Sequence, residues 1–199
     1  MGWIVLLLLI APTAIFTASY NRLLTAHIAL KNAFAQIDIL LTRRYDLVPN
    51  LVESTRGYLR NERDTLEAVI RTCNEAYEGL RNAASDPGSA AAVHQLIGAD
   101  QQLGRALGQL IALAEAHPDL RSSPMMLQLA EELASAEARV AFARAQYNKA
   151  VMTYNSDRES FPGSLAAGLF GFKPAYPLEP GRAPGSQPRM LNGGAAGDV

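Results

Sequence analysis

The chain has 199 residues, with 18 basic and 19 acidic side chains, a formal net charge of −1, 49% apolar residues and 19% charged ones. That length holds one domain with its own core, and its mixed charges form no basic cluster of the kind a nucleic-acid surface requires, so no nucleic acid is expected as a partner. Cys73 is the only cysteine, which excludes an intrachain disulfide and a cysteine-based zinc site.

Residues 2–18 read GWIVLLLLIAPTAIFTA, and no charged side chain precedes Arg22. Counted through Tyr20, the run approaches the ~20 residues that cross a hydrocarbon core. Trp3 and Tyr20 stand near its ends, as interfacial aromatic anchors do, and Pro12 falls where a membrane helix tolerates a kink. A cleaved signal peptide would carry a basic segment ahead of the apolar run. None is present, and helical periodicity continues past Ser19 without a break. Residues 1–20 are therefore expected to be an uncleaved transmembrane anchor. Arg22 and Lys31 follow it closely, which favours an outside N-terminus and an inside body.

Four segments then carry apolar residues at alternating three- and four-residue steps, the pattern of a helical bundle seam. The first, residues 20–45, aligns Leu23, His27, Leu30, Phe34, Ile37 and Leu41. The second is expected over residues 47–83, with Asp46 as its cap and Pro49 in its first turn. It aligns Val48, Val52, Thr55, Leu59, Glu62, Leu66, Val69, Cys73, Ala76 and Leu80. The loop Ser85-Asp86-Pro87-Gly88-Ser89 separates it from a third segment, residues 92–116, with Leu96, Ala99, Leu103, Ala106, Leu110 and Leu113 in line. His117-Pro118-Asp119 interrupts that leg. In the fourth, Ser123-Pro124 is a start signal, and Met126, Leu133, Val140, Tyr147, Tyr154 and Phe161 recur every seventh residue. Leu129, Ala136, Ala143 and Ala150 fill the companion positions, and Pro162-Gly163 marks the stop.

No segment has the period of a strand. The expected fold is all-α: an up-down antiparallel bundle of long helices, over residues 21–172, continuing from the anchor. Residues 161–172, FPGSLAAGLFGF, carry no charge. They are too short to span a bilayer, and dock either on the open end of the bundle or in the membrane interface. Residues 173–199 hold five prolines and five glycines and are expected to be a disordered tail.

The blocks MGWIVLLLL, YNRLL, QIDILLTRRYDLVPNLVESTRGY, ARAQYNKAVMTYN and FPGSLAAGLFGF closely resemble the LemA family of bacterial membrane proteins. They span the chain apart from its tail. The resemblance implies a bundle of long antiparallel helices carried on one membrane span, in the bacterial cytoplasmic (inner) membrane. It implies little about biochemistry, since no activity is established for the family as a whole. Links of members to membrane-organelle formation and to envelope-associated genes make scaffold or adaptor work the implied role.

The residues themselves nominate no chemistry. No Glu-x-x-His pair is present for a di-metal carboxylate site, and His27, His94 and His117 lie on different segments without ligand spacing. Seam positions make His27 a core or boundary histidine and Cys73 a small buried hydrophobe. Glu62 interrupts the second stripe, either as a register-setting polar residue or at the seam's edge in water. Glu131-Glu132 and Arg43-Arg44 read as solvated faces, the arginines opposing a helix C-terminal dipole. No catalytic, cofactor-binding or metal-binding residue is expected, no cofactor, and no enzyme activity. The expected partners are the lipid bilayer and either a protein partner or further copies of the chain, bound through helical faces. A membrane-shaping or membrane-organising structural protein, acting through apolar segments and self-assembly, is the alternative.

Overall fold

The first helix of the chain runs much further than its sequence suggests. In a computed structural model describing residues 2–178, with residues 2, 4–9 and 12 described by their backbone alone, α1 extends unbroken from Gly2–Arg56, 55 residues. It is followed by α2 (Arg63–Ser85), α3 (Ala90–Ala116), α4 (Pro118–Arg121), α5 (Pro124–Glu159) and α6 (Gly163–Phe170), with no strand among the described residues. The boundary expected at Asp46 does not exist. Asp46 instead accepts a hydrogen bond from the Tyr77 hydroxyl of α2.

Pro49 therefore lies inside a helix. A proline there lacks the N–H that would bond the carbonyl four residues back. That carbonyl belongs to Tyr45, and the Cys73 thiol of α2 donates to it, with Sγ 3.7 Å from the oxygen. Burial, helped by nearby Asp46, pushes the Cys73 thiol up to about 11, so it keeps the proton that it donates. The sulfur thus partners a carbonyl that proline has orphaned.

The true break spans residues 57–62, beginning at Gly57. The N–H groups of Tyr58 and Leu59 both reach the Thr55 carbonyl at 3.0 Å, and Leu59 is buried as a plug under the turn. Glu62 is half-buried in this connection, directly before α2. It interrupts the apolar stripe because the helix itself is interrupted there.

The bundle is assembled chiefly from the pairs α1–α5 and α2–α3, joined by α1–α2 contact. Leu23, Leu30, Ile37 and Leu51 line one seam of α1, and Phe34, Leu41, Val48 and Thr55 the other. They meet Met126, Leu133, Val140, Tyr147 and Tyr154 of α5, all buried. Ala136 and Ala143, also buried, let the two long helices approach closely. Between α2 and α3 the approach is also close, since a Cβ added at Gly79 would lie 3.3 Å from the Leu96 Cα. Phe161 does not continue the α5 seam. That helix ends at Glu159, and Phe161 beyond it is 81% exposed.

The direction of the legs alternates as expected for an up-down bundle. The α2–α3 loop returns to the level of Leu30, and α6 to the level of Phe16 and Tyr20. Thus α1 and α3 run away from one end and α2 and α5 run back. Pro162-Gly163 stops α5 but also opens α6, a helix the sequence reading did not separate. The anchor expected over residues 1–20 lies partly outside the described residues. Among the described residues, no helix is long and apolar enough to cross a membrane.

Val140→Asp tests the α1–α5 seam. Burying that charge should cost about 3 kcal/mol or more, against within about 0.5 for Arg139→Asp on the exposed face, as read from denaturant unfolding. Cys73 should resist alkylation at neutral pH in the folded chain and react once the protein is unfolded, as followed by mass spectrometry.

Candidate functional site

Helix α3 places Val93, Asp100, Leu107 and Ala114 seven residues apart on its buried face, so a carboxylate occupies a core position. Helix α1 does the same with a guanidinium, because Arg44 falls one heptad after Ile37 and one before Leu51. The two meet. Arg44 Nη1 lies 2.6 Å from Asp100 Oδ1, and Arg144 Nη2 of α5 lies 2.6 Å from Asp100 Oδ2. The Tyr45 hydroxyl donates to Asp100 Oδ1 at 3.0 Å, and Arg44 Nη2 reaches Glu137 Oε1 of α5 at 2.8 Å. Burial and the facing Asp100 carboxylate raise the Tyr45 phenol well above its ordinary value. It therefore stays protonated and acts as a donor.

Asp100 thus accepts from two cations and a phenol, and ties three helices together. Two arginines face one aspartate and one glutamate, so formal charge cancels. Satisfaction is incomplete, because the Nε groups of Arg44 and Arg144 are buried with no hydrogen-bond partner among the described residues. Such a node holds helices in register more than it adds stability.

A second constellation lies at the end of the bundle where α1 begins. Left-handed Gly171, with φ 70, ends α6, and the Phe172 N–H donates to the Ala167 carbonyl at 3.0 Å. The chain then runs as an extended strap, residues 172–178, back along α5. Two Tyr-Asn pairs one heptad apart grip it. Tyr154 donates to the Lys173 carbonyl at 2.7 Å, and Tyr147 to the Tyr176 carbonyl at 3.0 Å. Asn155 holds both backbone groups of Ala175, donating from Nδ2 at 2.7 Å and accepting at Oδ1 at 3.0 Å. Asn148 Oδ1 accepts from the Leu178 N–H at 2.9 Å, and Arg158 Nε donates to the Phe172 carbonyl at 3.1 Å. Burial pushes both tyrosines up, which keeps them donors. On its other edge the strap meets the α2–α3 loop, where the Tyr176 N–H bonds the Gly88 carbonyl at 3.0 Å.

The strap leaves a cleft of about 590 Å³ bounded by His27, the α2–α3 loop and residues 170–176. The His27 ring packs on Tyr154 and Phe172, with centroids 5.4 and 5.9 Å away. Desolvation, with Lys31 close by, lowers its pKa despite the opposing influence of Asp86. Beside the cleft, α6 buries Gly163, Ala166 and Ala167 and leaves Leu165, Leu169 and Phe170 at 58%, 76% and 53% exposure. Gly163 is required by close approach, since a Cβ there would fall 2.1 Å from the Asp157 carbonyl oxygen.

The sequence profile of the LemA family matches residues 33–189. The chain belongs to the LemA family. Relatives include magnetosome proteins MamQ from Paramagnetospirillum magneticum, 26% identical over 184 residues, covering 83% of this chain and 66% of theirs. MamQ from Magnetospirillum gryphiswaldense is 26% identical over 172 residues, covering 77% of this chain and 62% of the relative. The chain thus spans about two thirds of the length of these relatives or less.

In this LemA-family chain, the residues weighed for chemistry are kept apart. His27 stands in the strapped end, Cys73 beneath Pro49, and His94 and His117 on or after α3. Among the described residues no group of three or more His, Cys, Asp or Glu is placed to hold a metal ion. Glu131, Glu132 and Arg43 are exposed, in line with solvated faces. Arg44 is not. It is 4% exposed, and α1 continues past it to Arg56, so neither a solvated face nor a helix-terminal role describes it. Asp100 carries one faint signal in the sequence, a lone acid at heptad spacing from Val93 and Leu107, but the arginines that face it lie on other helices. The strap had a signal too, in the repeated Tyr-Asn of ARAQYNKAVMTYN. Residues 173–178 of the tail expected from Lys173 are held by α5, while residues 179–199 lie outside the described residues.

Asp100→Ala should destabilise the bundle by about 3 kcal/mol, because half-buried Arg144 loses its counter-ion and buried Arg44 keeps only the exposed Glu137. Replacing the trio together, Arg44→Met, Asp100→Leu and Arg144→Met, should recover most of that loss in chemical denaturation. Asn155→Ala should accelerate hydrogen exchange at the Ala175 amide at a global loss of about 1 kcal/mol. Gly88→Ala should mimic it, because Gly88 has φ +96 and an added Cβ would lie 2.9 Å from the Ala175 Cβ.

Proposed function

We propose that this LemA-family chain is a membrane-anchored, non-enzymatic scaffold or adaptor of the bacterial envelope. Residues 1–20 cross the cytoplasmic (inner) membrane with the N-terminus outside, and the bundle stands on the inner side. The observation that carries the reading is the continuity of α1. The helix that forms the spine of the bundle runs on without a break into the apolar N-terminal run, where Trp3, Ile10 and Ile15 are 85%, 57% and 56% exposed. Apolar side chains standing clear of their own bundle are suited to a lipid environment. Arg22 and Lys31 follow this run closely, which supports the orientation.

The scaffold role follows from where the polar chemistry sits. Buried Arg44 and Asp100, half-buried Arg144 and exposed Glu137 neutralise one another and tie helices together. What the bundle offers outward is long helical surface, with Phe142 and Met152 of α5 each 69% exposed. These are contact points for a protein partner or a second copy.

The chain should stay in the membrane pellet after alkaline carbonate extraction. Photo-crosslinkers at Phe142 and Met152 in native membranes should capture a stoichiometric protein partner or another copy. Release by carbonate, or a mature N-terminus at Ser19 or Tyr20, would overturn the anchor. Crosslinks to lipid alone would favour a membrane-shaping role, which liposome deformation by the purified chain would establish.

A further inference from the structure

We propose that α6 is an interfacial membrane helix, seated with its exposed face in the boundary between headgroups and acyl chains of an anionic bilayer, beside the point where α1 emerges. The inference rests on the anchored reading above and adds a second, non-spanning contact to it.

Three observations carry it. The first is division of faces. Gly163, Ala166 and Ala167 are buried against α1 and α5, while Phe161, Leu165, Leu169 and Phe170 are exposed. No charged residue occurs anywhere in residues 161–172, and Ser164 is the one exposed polar side chain in α6. The second is continuity with the anchor. The Phe170 ring packs on Tyr20 at 4.7 Å and lies 6.3 Å from Phe16, and Phe172 lies 6.1 Å from Tyr20. These aromatics form one group at the inner end of the expected span, the depth that aromatic side chains favour. The third is charge. Exposed Lys173 follows α6 directly, and Arg22, 75% exposed, stands two residues after Tyr20. Arg22 is bridged to Asp157 at 2.7 Å, which fixes it at this level rather than leaving it free to swing. The apolar side chains thus sit beside exposed Lys173, with the Arg22–Asp157 pair at the same level, an arrangement that suits the headgroup boundary of a bilayer.

Fixation of α6 supports the same occupant. The Gly163 backbone against Asp157, and the strap hydrogen bonds to Tyr154, Asn155 and Arg158, hold α6 at one angle to α1.

The test uses the full chain reconstituted into phosphatidylcholine–phosphatidylglycerol vesicles. Single cysteines replace Leu169, Ile10 and Leu127 in turn, in a Cys73→Ser background, and carry an environment-sensitive fluorophore. Leu169 and Leu127 are 76% and 60% exposed and Ile10 57%, so labelling leaves the core intact. Lipid-borne quenchers at shallow depth should quench the Leu169 label by at least about half as much as the Ile10 label, and leave Leu127 on distal α5 unquenched. Quenching at Ile10 with none at Leu169 would overturn the α6 proposal and leave the anchor standing. Quenching at neither would overturn both. Quenching at Leu169 without Ile10 would support α6 and overturn the anchor.

Discussion

A carboxylate held between two guanidinium groups decides how this bundle is put together. The two best-packed halves, α1 with α5 and α2 with α3, are each self-sufficient in shape, with alanines and Gly79 allowing close approach. Apolar seams alone permit such halves to slide by a heptad, because Leu and Ala repeat every seventh residue on both sides. Asp100 removes that freedom. A shift by one heptad would bring Leu107 or Val93 opposite Arg44, leaving Arg144 without its counter-ion and buried Arg44 with Glu137 alone, a larger penalty than imperfect apolar packing. The register that brings Asp100 to Arg44, Tyr45 and Arg144 also brings Cys73 beneath Pro49 and the α2–α3 loop against the strap.

Helix breakers in this chain are accommodated by partners rather than avoided. Pro49 would ordinarily end or bend a helix, yet α1 passes through it with a thiol from the neighbouring helix supplying the missing bond. Only Gly57 ends it, and Leu59 plugs the turn that follows. The same logic holds at the other end, where an extended segment with two prolines is kept in place because α5 carries side chains that satisfy its backbone. Each local irregularity is thus explained by a residue far away in sequence.

This is also why the sequence was legible in part. Helical class, leg count, alternation of direction and most of the seam follow from periodicity, which is a local property. The end of the first leg does not. Leu59 and Leu66 keep seven-residue spacing across a turn, so the stripe passes over the break unseen, and Asp46-Pro49 imitates a helix start although Tyr77 and Cys73 of α2 engage Asp46 and the Tyr45 carbonyl there. Arg44 and Asp100 look like surface charges singly, because each stripe shows only its own helix and not the ion that faces it. The Tyr-Asn repeat was visible as spacing, but its use could not be read before the strap was seen lying on it.

The unbroken course of α1 has a mechanical consequence. Beyond Tyr20 it is about 54 Å long at 1.5 Å per residue, with no glycine before Gly57 to act as a hinge. Because α5 lies along most of that length, the pair behaves as a stiffened rod. A rod fixed at one end converts angle into displacement. A change in tilt of ~20°, within the range of membrane helices, would sweep its far tip through roughly 18 Å. The far tip, near Leu59, would then move as a lever arm with no moving joint of its own.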